Sequence, residues 1–144
     1  SACFNHAFKH MPDLEINDIS EFLCKYVVPH LDIEKCDERV IVHKQCKIKS
    51  LNKSQYIEDL ARLCTDHVFN IKSFACDGFA GQKGFFTPEL NKSATKDLAG
   101  EIVEYGATLG VSSSSTCEIG LGENGGIPFV GVAFLLDRCS KAKK

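Results

Sequence analysis

The chain carries eight cysteines and five histidines, the side chains best suited to holding a metal or moving electrons. Three of the cysteines, Cys46, Cys76 and Cys117, fall just past short apolar runs that read as strands: Arg39 to His43, His67 to Ile71 and Leu109 to Val111. In a layered α/β domain, the loops at the carboxyl ends of parallel strands gather at one edge of the sheet. Thiolates from three such loops can meet around one metal although they are far apart in sequence. That set would suit an iron–sulfur cluster or a zinc ion. The plainer reading is core packing, because free cysteine is an ordinary interior residue. No Cys-x-x-Cys pair occurs anywhere in the chain, so spacing alone does not choose between the two.

The elements that would position these thiols follow from periodicity. Asp18 stands where it can cap a helix, with Glu21 reaching back and Ile19, Phe22, Leu23, Tyr26, Val27 and Leu31 at helical spacing until Pro29 bends or ends it. Lys53 to Cys64 is predicted to be a helix on a stripe of Tyr56, Ile57, Leu60, Ala61 and Leu63. Ser93 to Tyr105 is predicted to be another, stopped by Gly106. Ala75 to Gly84 reads as a loop, and Ser112 to Thr116 as a flexible polar loop running into Cys117. Strands separated by helices predict an α/β fold, a layered domain with a mainly parallel sheet flanked by helices.

Composition narrows the rest. With 44% hydrophobic and 25% charged residues, the 144 residues suit one globular domain spanning 1–144. A net charge of -2 gives no long-range attraction to nucleic acid or anionic lipid. The most apolar run, Ile127 to Leu136, is far short of the roughly 20 residues that span a bilayer and reads as core. The start lacks the pattern of a signal peptide. The chain begins without Met, as a fragment or excised domain would, and Ser140 to Lys144 reads as a solvated tail. Reduced thiols on the cytoplasmic side are therefore expected rather than a disulfide framework, with any membrane association peripheral, on the inner face.

Two glycine groups invite opposite readings. Gly120-Leu121-Gly122-Glu123-Asn124-Gly125 matches GxGxxG in letters only, since too little of the chain follows for a complete βαβ unit, and is read as a turn. Gly78, Gly81 and Gly84 sit in the loop after Cys76, where backbone without side chains could bring amide N–H groups close to a cluster or anion. A plain tight loop is the other reading.

The stretch Cys76-Asp77-Gly78-Phe79-Ala80-Gly81-Gln82-Lys83-Gly84-Phe85-Phe86-Thr87-Pro88-Glu89-Leu90, with Ser93-Ala94-Thr95 after it, resembles the cysteine-rich "CCG" signature region of bacterial FAD-linked D-lactate dehydrogenases. Val42-His43-Lys44-Gln45-Cys46 is similar to the upstream His-x-x-Cys element of that family. Ser115-Thr116-Cys117-Glu118-Ile119-Gly120-Leu121 is similar to its Cys-Glu-Ile-Gly element, and Leu135 to Cys139 to its usual ending. Ser1-Ala2-Cys3 stands where the family often has Ser-Pro-Cys, so the resemblance is collinear over essentially the whole chain.

The resemblance implies the C-terminal cysteine-rich domain of a larger flavoenzyme that oxidises a 2-hydroxy acid at FAD held in another part. This domain would take electrons from the flavin domain through an iron–sulfur centre and pass them to a quinone, a cytochrome or another iron–sulfur protein. Carried over by position, Cys46, Cys76 and Cys117 would be ligands, Cys3 a further one, and His43 a donor orienting a thiolate. The chain departs from the family where Asp77 replaces the second of two adjacent cysteines, and Gly120 stands where a second downstream cysteine would. Three readings then stand: a 4Fe-4S cluster on three cysteines plus Cys3 or Asp77, a zinc ion, or a metal-free docking domain. Cys24, Cys64 and Cys139 are expected in the core, and Cys36 exposed.

Overall fold

The computed structural model of the chain describes residues 9–11, 13, 15–81 and 83–143; Cys3 lies outside them. Asp18 caps α1 (Ile19–Phe22), accepting the Ser20 N–H at 2.9 Å. The helix then loosens into a π-turn at Leu23–Val27 and tightens into a 3-10 turn at Val28–His30. Pro29 lacks the N–H needed to continue a regular helix. Beyond it come β1 (Leu31–Ile33), β2 (Val40–Val42), α2 (Cys46–Ser50), α3 (Ser54–Cys64) and β3 (Val68–Asn70). A long connection holds α4 (Lys83–Phe86), α5 (Pro88–Ala94) and α6 (Leu98–Tyr105). The chain closes with β4 (Leu109–Ser112), α7 (Ser115–Gly125), β5 (Phe129–Gly131), α8 (Val132–Arg138) and β6 (Ser140–Ala142).

Strands β3, β2, β4 and β5, in that order, form a four-stranded sheet in which every pairing is parallel. Val40 pairs with Val68 on one side and Leu109 on the other. Because β2 is buried on both faces, its side chains alternate between two cores. Val40 and Val42 join Ile57, Leu60 and Ala61 of α3 and Val132, Leu135 and Leu136 of α8. Ile41 points the other way, onto Leu98 and Ile102 of α6, Leu121 of α7, and Phe129. The result is the expected layered α/β fold, a parallel sheet between two helical layers. A separate antiparallel pair joins β1 to β6, with Ile33 opposite Ser140.

Several local expectations give way to packing. Ile19, Phe22 and Tyr26 lie on an exposed face of the first helical segment, and Leu23 is its buried apolar residue, beside the buried Ser20 and Glu21. Glu21 does not reach back to cap the helix. It is buried, with Lys25 Nζ at 2.8 Å and Lys53 also paired to it. The helix predicted over Ser93 to Tyr105 is broken at Thr95–Asp97, where the Thr95 hydroxyl donates to Asn91 O at 2.8 Å; Gly106 does end it, at φ 59°. Ser140 to Ala142 is a strand rather than a free tail, because its backbone completes the ladder to β1. Cys36 is half-buried against the core rather than exposed, and Leu63 is exposed while Cys64 takes its place inside.

The glycine run is helix, not turn: GxGxxG lies inside α7 instead of opening it. A Cβ on Gly120 would stand 2.5 Å from the Phe79 ring, and one on Gly125 would stand 2.8 Å from Ile102 Cδ1. Close packing, rather than a phosphate, accounts for glycine at these two positions.

Candidate metal and redox site

From β2 the chain crosses to β3 on one side, then returns past β2 to β4 on the other. The helices that follow β2 and β4 therefore cover opposite faces, and a crevice opens at the carboxyl ends of these two neighbouring strands. In parallel sheets such a crevice is the common position for a ligand. Here it is a pocket of about 110 Å³ whose walls include His43, Cys46, Cys76, Asp77, Gly81 and Cys117. Cys46 and Cys117 lie in the first turns of α2 and α7, and Cys76 and Asp77 in the loop after β3. Three connections distant in sequence thus deliver their thiols to one place.

His43 is fixed at the end of β2, where its backbone N–H donates to Val111 O at 2.9 Å. Its ring is 3% exposed, with Nδ1 3.1 Å from Ser112 Oγ and Nε2 without a partner. Burial pushes its pKa down to about 4; Asp77 opposes that shift and Lys49 reinforces it. The imidazole is therefore neutral at physiological pH, and it meets Ser112 rather than the thiolate expected of it. Asp77 is equally buried. Its Oδ1 accepts the Phe79 N–H at 3.3 Å, while Oδ2 has no partner. Two orphaned polar atoms on residues lining one small pocket are uncommon, because buried polar groups are nearly always paired.

Cys46 and Cys117 are held protonated. Burial pushes Cys117 up to about 12; the Ser114 hydroxyl lowers it, while the nearby Asp77 and Cys46 raise it. Cys46 is raised first by partial desolvation and then by Cys76 beside it, with a smaller effect from Asp77. These influences place Cys46 next to Cys76, and Cys117 next to Asp77. A cation that binds here must displace protons, so its affinity rises with pH.

Packing around Phe79 holds the loop in place. Its ring is buried between Gly84 and Gly120, where a Cβ at either position would come within 2.5 Å. Asn91 donates from Nδ2 to Asp77 O at 2.6 Å and accepts from Asn124 Nδ2 at 2.5 Å. Gly78 and Gly81 both take left-handed φ, 71° and 66°. Gly78 is explained by close packing, since a Cβ would lie 3.0 Å from Leu90 O, whereas Gly81 faces open space at the pocket.

The structure thus brings together Cys46, Cys76, Asp77 and Cys117 of the expected ligands. The serine segment is not a flexible cover: Ser112 is fully buried at the end of β4, and Ser115 begins α7. Ser112 and Asn91 were not singled out from sequence; the one available signal was Asn91, a polar residue in an otherwise ordinary helical stretch. Among the described residues, no three His, Cys, Asp or Glu side chains stand where they could hold one metal ion as they are. Cys46 and Cys76 are exposed, so they can turn without disturbing the core. All seven described cysteines are free thiols.

No family model, curated protein or solved structure matches the chain. Among the described residues no helix is long and apolar enough to cross a membrane.

Proposed function

We propose that this chain is an iron–sulfur electron-transfer domain of an FAD-dependent dehydrogenase of D-lactate or a related 2-hydroxy acid. The observation that carries the reading is the convergence of Cys46, Cys76, Asp77 and Cys117, from three separate connections, on one pocket lined by two orphaned buried polar atoms. Cys46, Cys76 and Cys117 would hold the centre, with Asp77 or Cys3 completing the set. A cluster would supply one-electron chemistry between flavin and acceptor. A pocket of about 110 Å³ is small for a cluster buried outright, so it would be bound toward the exposed rim formed by Cys46 and Cys76. No residue here is assigned to hydroxy-acid oxidation, which belongs to the flavin domain. Phe85, Phe86 and Leu90, exposed just past the site loop, give that domain an apolar face to pack on.

A second reading, a zinc-bound or metal-free docking domain, is favoured by the open arrangement of the side chains and by the carboxylate of Asp77, a harder donor than the thiolates iron–sulfur clusters prefer. Anaerobic reconstitution followed by iron, sulfide and zinc analysis separates the two. The electron-transfer reading expects iron with matching sulfide, lost in Cys46→Ser and Cys117→Ser. Zinc alone, or no metal after reconstitution, would replace it with the docking reading.

A further inference from the structure

A second group of thiols lies apart from the pocket. Cys36 stands on the connection between β1 and β2, Cys64 ends α3, and Cys139 follows α8. Backbone hydrogen bonds join their segments: Cys36 N–H donates to Cys64 O at 2.9 Å, and Glu34 N–H to Cys139 O at 2.7 Å. The side chains of Cys36 and Cys64 both act on the Cys139 thiol, and Cys139 and Cys36 both act on that of Cys64. Cys64 and Cys139 are 0% and 4% exposed, whereas Cys36 is half-buried. Cys36 and Cys139 together line an open cavity of about 330 Å³. Ordinary core cysteines pack against apolar groups; here three backbone-linked segments gather three thiols, and solvent reaches the group from the cavity beside it.

We propose that this cluster is an oxidant-sensitive site at which a hydroperoxide joins Cys36 and Cys139 in a disulfide. The sulfur of Cys36, the thiol nearest solvent, attacks one peroxide oxygen as the O–O bond breaks, giving a sulfenic acid and one water. The Cys139 sulfur then attacks the Cys36 sulfur, the S–O bond breaks, and the thiol proton leaves with the oxygen as a second water. Two thiols and one hydrogen peroxide become one disulfide and two waters. The sulfurs together lose two electrons, which the peroxide accepts. Burial pushes Cys64 up to about 12 and Cys139 to about 11. Both are also buried, so the half-buried Cys36 at the cavity is the first point of attack. The product would tie the C-terminal strand, through Cys139, to the loop leaving β1.

The test treats the reduced 144-residue chain, still folded, with a few equivalents of hydrogen peroxide. Remaining thiols are blocked with N-ethylmaleimide, and tryptic peptides are mapped by mass. The expected result is a peptide pair linked through Cys36 and Cys139, with loss of two of the eight thiols. The link is expected to vanish in Cys36→Ser and persist in Cys24→Ser, whose sulfur lies against Tyr56 O at 3.6 Å, away from the cluster. Wild-type mapping alone decides the matter, so no variant needs to fold for the test to be read. Free Cys36 and Cys139 after treatment, sulfinic acid on Cys36 without a cross-link, or linkage of either to another cysteine would overturn the proposal.

Discussion

Replacing Gly120 with alanine adds one methyl group to the buried side of α7, at the point where the loop carrying Cys76 and Asp77 leans on the helix. The new Cβ would lie 2.5 Å from the Phe79 ring, 2.7 Å from Asn91 Oδ1 and 2.8 Å from Asn91 Nδ2. Neither neighbour is a free side-chain end. Phe79 is wedged against Gly84, and Asn91 is tied to Asp77 O and Asn124. Alanine should gain about 1 kcal/mol from helix propensity. Overpacking costs about 1–3 kcal/mol, and weakening the buried Asn91 hydrogen bonds about 1–2 kcal/mol. The net expectation is a loss of about 2 kcal/mol, or roughly 4–8 °C in Tm for a chain of this size. Gly100 supplies the control, because it lies in α6 on the surface with nothing within 4 Å of its Cβ position. There the same substitution should stabilise by about 0.5–1 kcal/mol. Urea unfolding of both variants beside the parent gives the comparison. If Gly120→Ala stabilises as Gly100→Ala does, Phe79 does not clamp the site loop to α7, and the packing argument fails.

Other expectations rest on single interactions. The Lys44 and Arg62 side chains hold Glu58 down to about 2 from 4.5. That depression stabilises the fold above pH 4.5 and is lost as pH falls toward 2. Its ceiling is about 3 kcal/mol, discounted to about 1–2 because Arg62 is half in water. The stability gap between parent and Glu58→Gln should therefore close over that acid range when urea midpoints are followed against pH; a gap that stays constant would show that the ion pairs contribute nothing. Arg39 donates to Tyr105 O from Nη2 at 2.6 Å and to Gly106 O from Nε at 3.1 Å, and lies 5.0 Å from the centre of the Phe69 ring. Arg39→Ala should cost about 1–2 kcal/mol by thermal unfolding, and Arg39→Lys should recover only part of it. At Gly106, φ 59° makes Gly106→Ala destabilising by about 1 kcal/mol, in contrast to Gly100→Ala in the same helix.

The sheet and its main helices were legible because they rest on patterns that local sequence carries. Val40 to Val42 is β-branched and buried on both faces, and Ile57, Leu60 and Ala61 keep a helical period. The meeting of Cys46, Cys76 and Cys117 was legible for a topological reason, since each follows a strand of one parallel sheet. What escaped was decided by long-range contacts. β6 is a strand only because β1 lies beside it, and nothing in Ser140-Lys141-Ala142 signals that. The helix over Gly120 to Gly125 contradicts local propensity, and its glycines make sense once the facing Phe79, Asn91, Ile102, Leu98 and Phe129 are seen. The orphaned Nε2 of His43 and Oδ2 of Asp77 could not be anticipated either, because a missing partner is a property of packing. The meeting of Cys36, Cys64 and Cys139 came from elements that sequence reading had treated as unrelated.

The proposed redox centre in the pocket between β2 and β4 has a direct spectroscopic signature. The most direct measurement is the visible and EPR spectrum of the chain purified without oxygen, before and after reduction with dithionite. A cluster on these cysteines gives a broad absorption that bleaches on reduction, together with an EPR signal from its reduced form, both absent in Cys117→Ser. A colourless, EPR-silent protein that stays so after anaerobic reconstitution with iron and sulfide would contradict it.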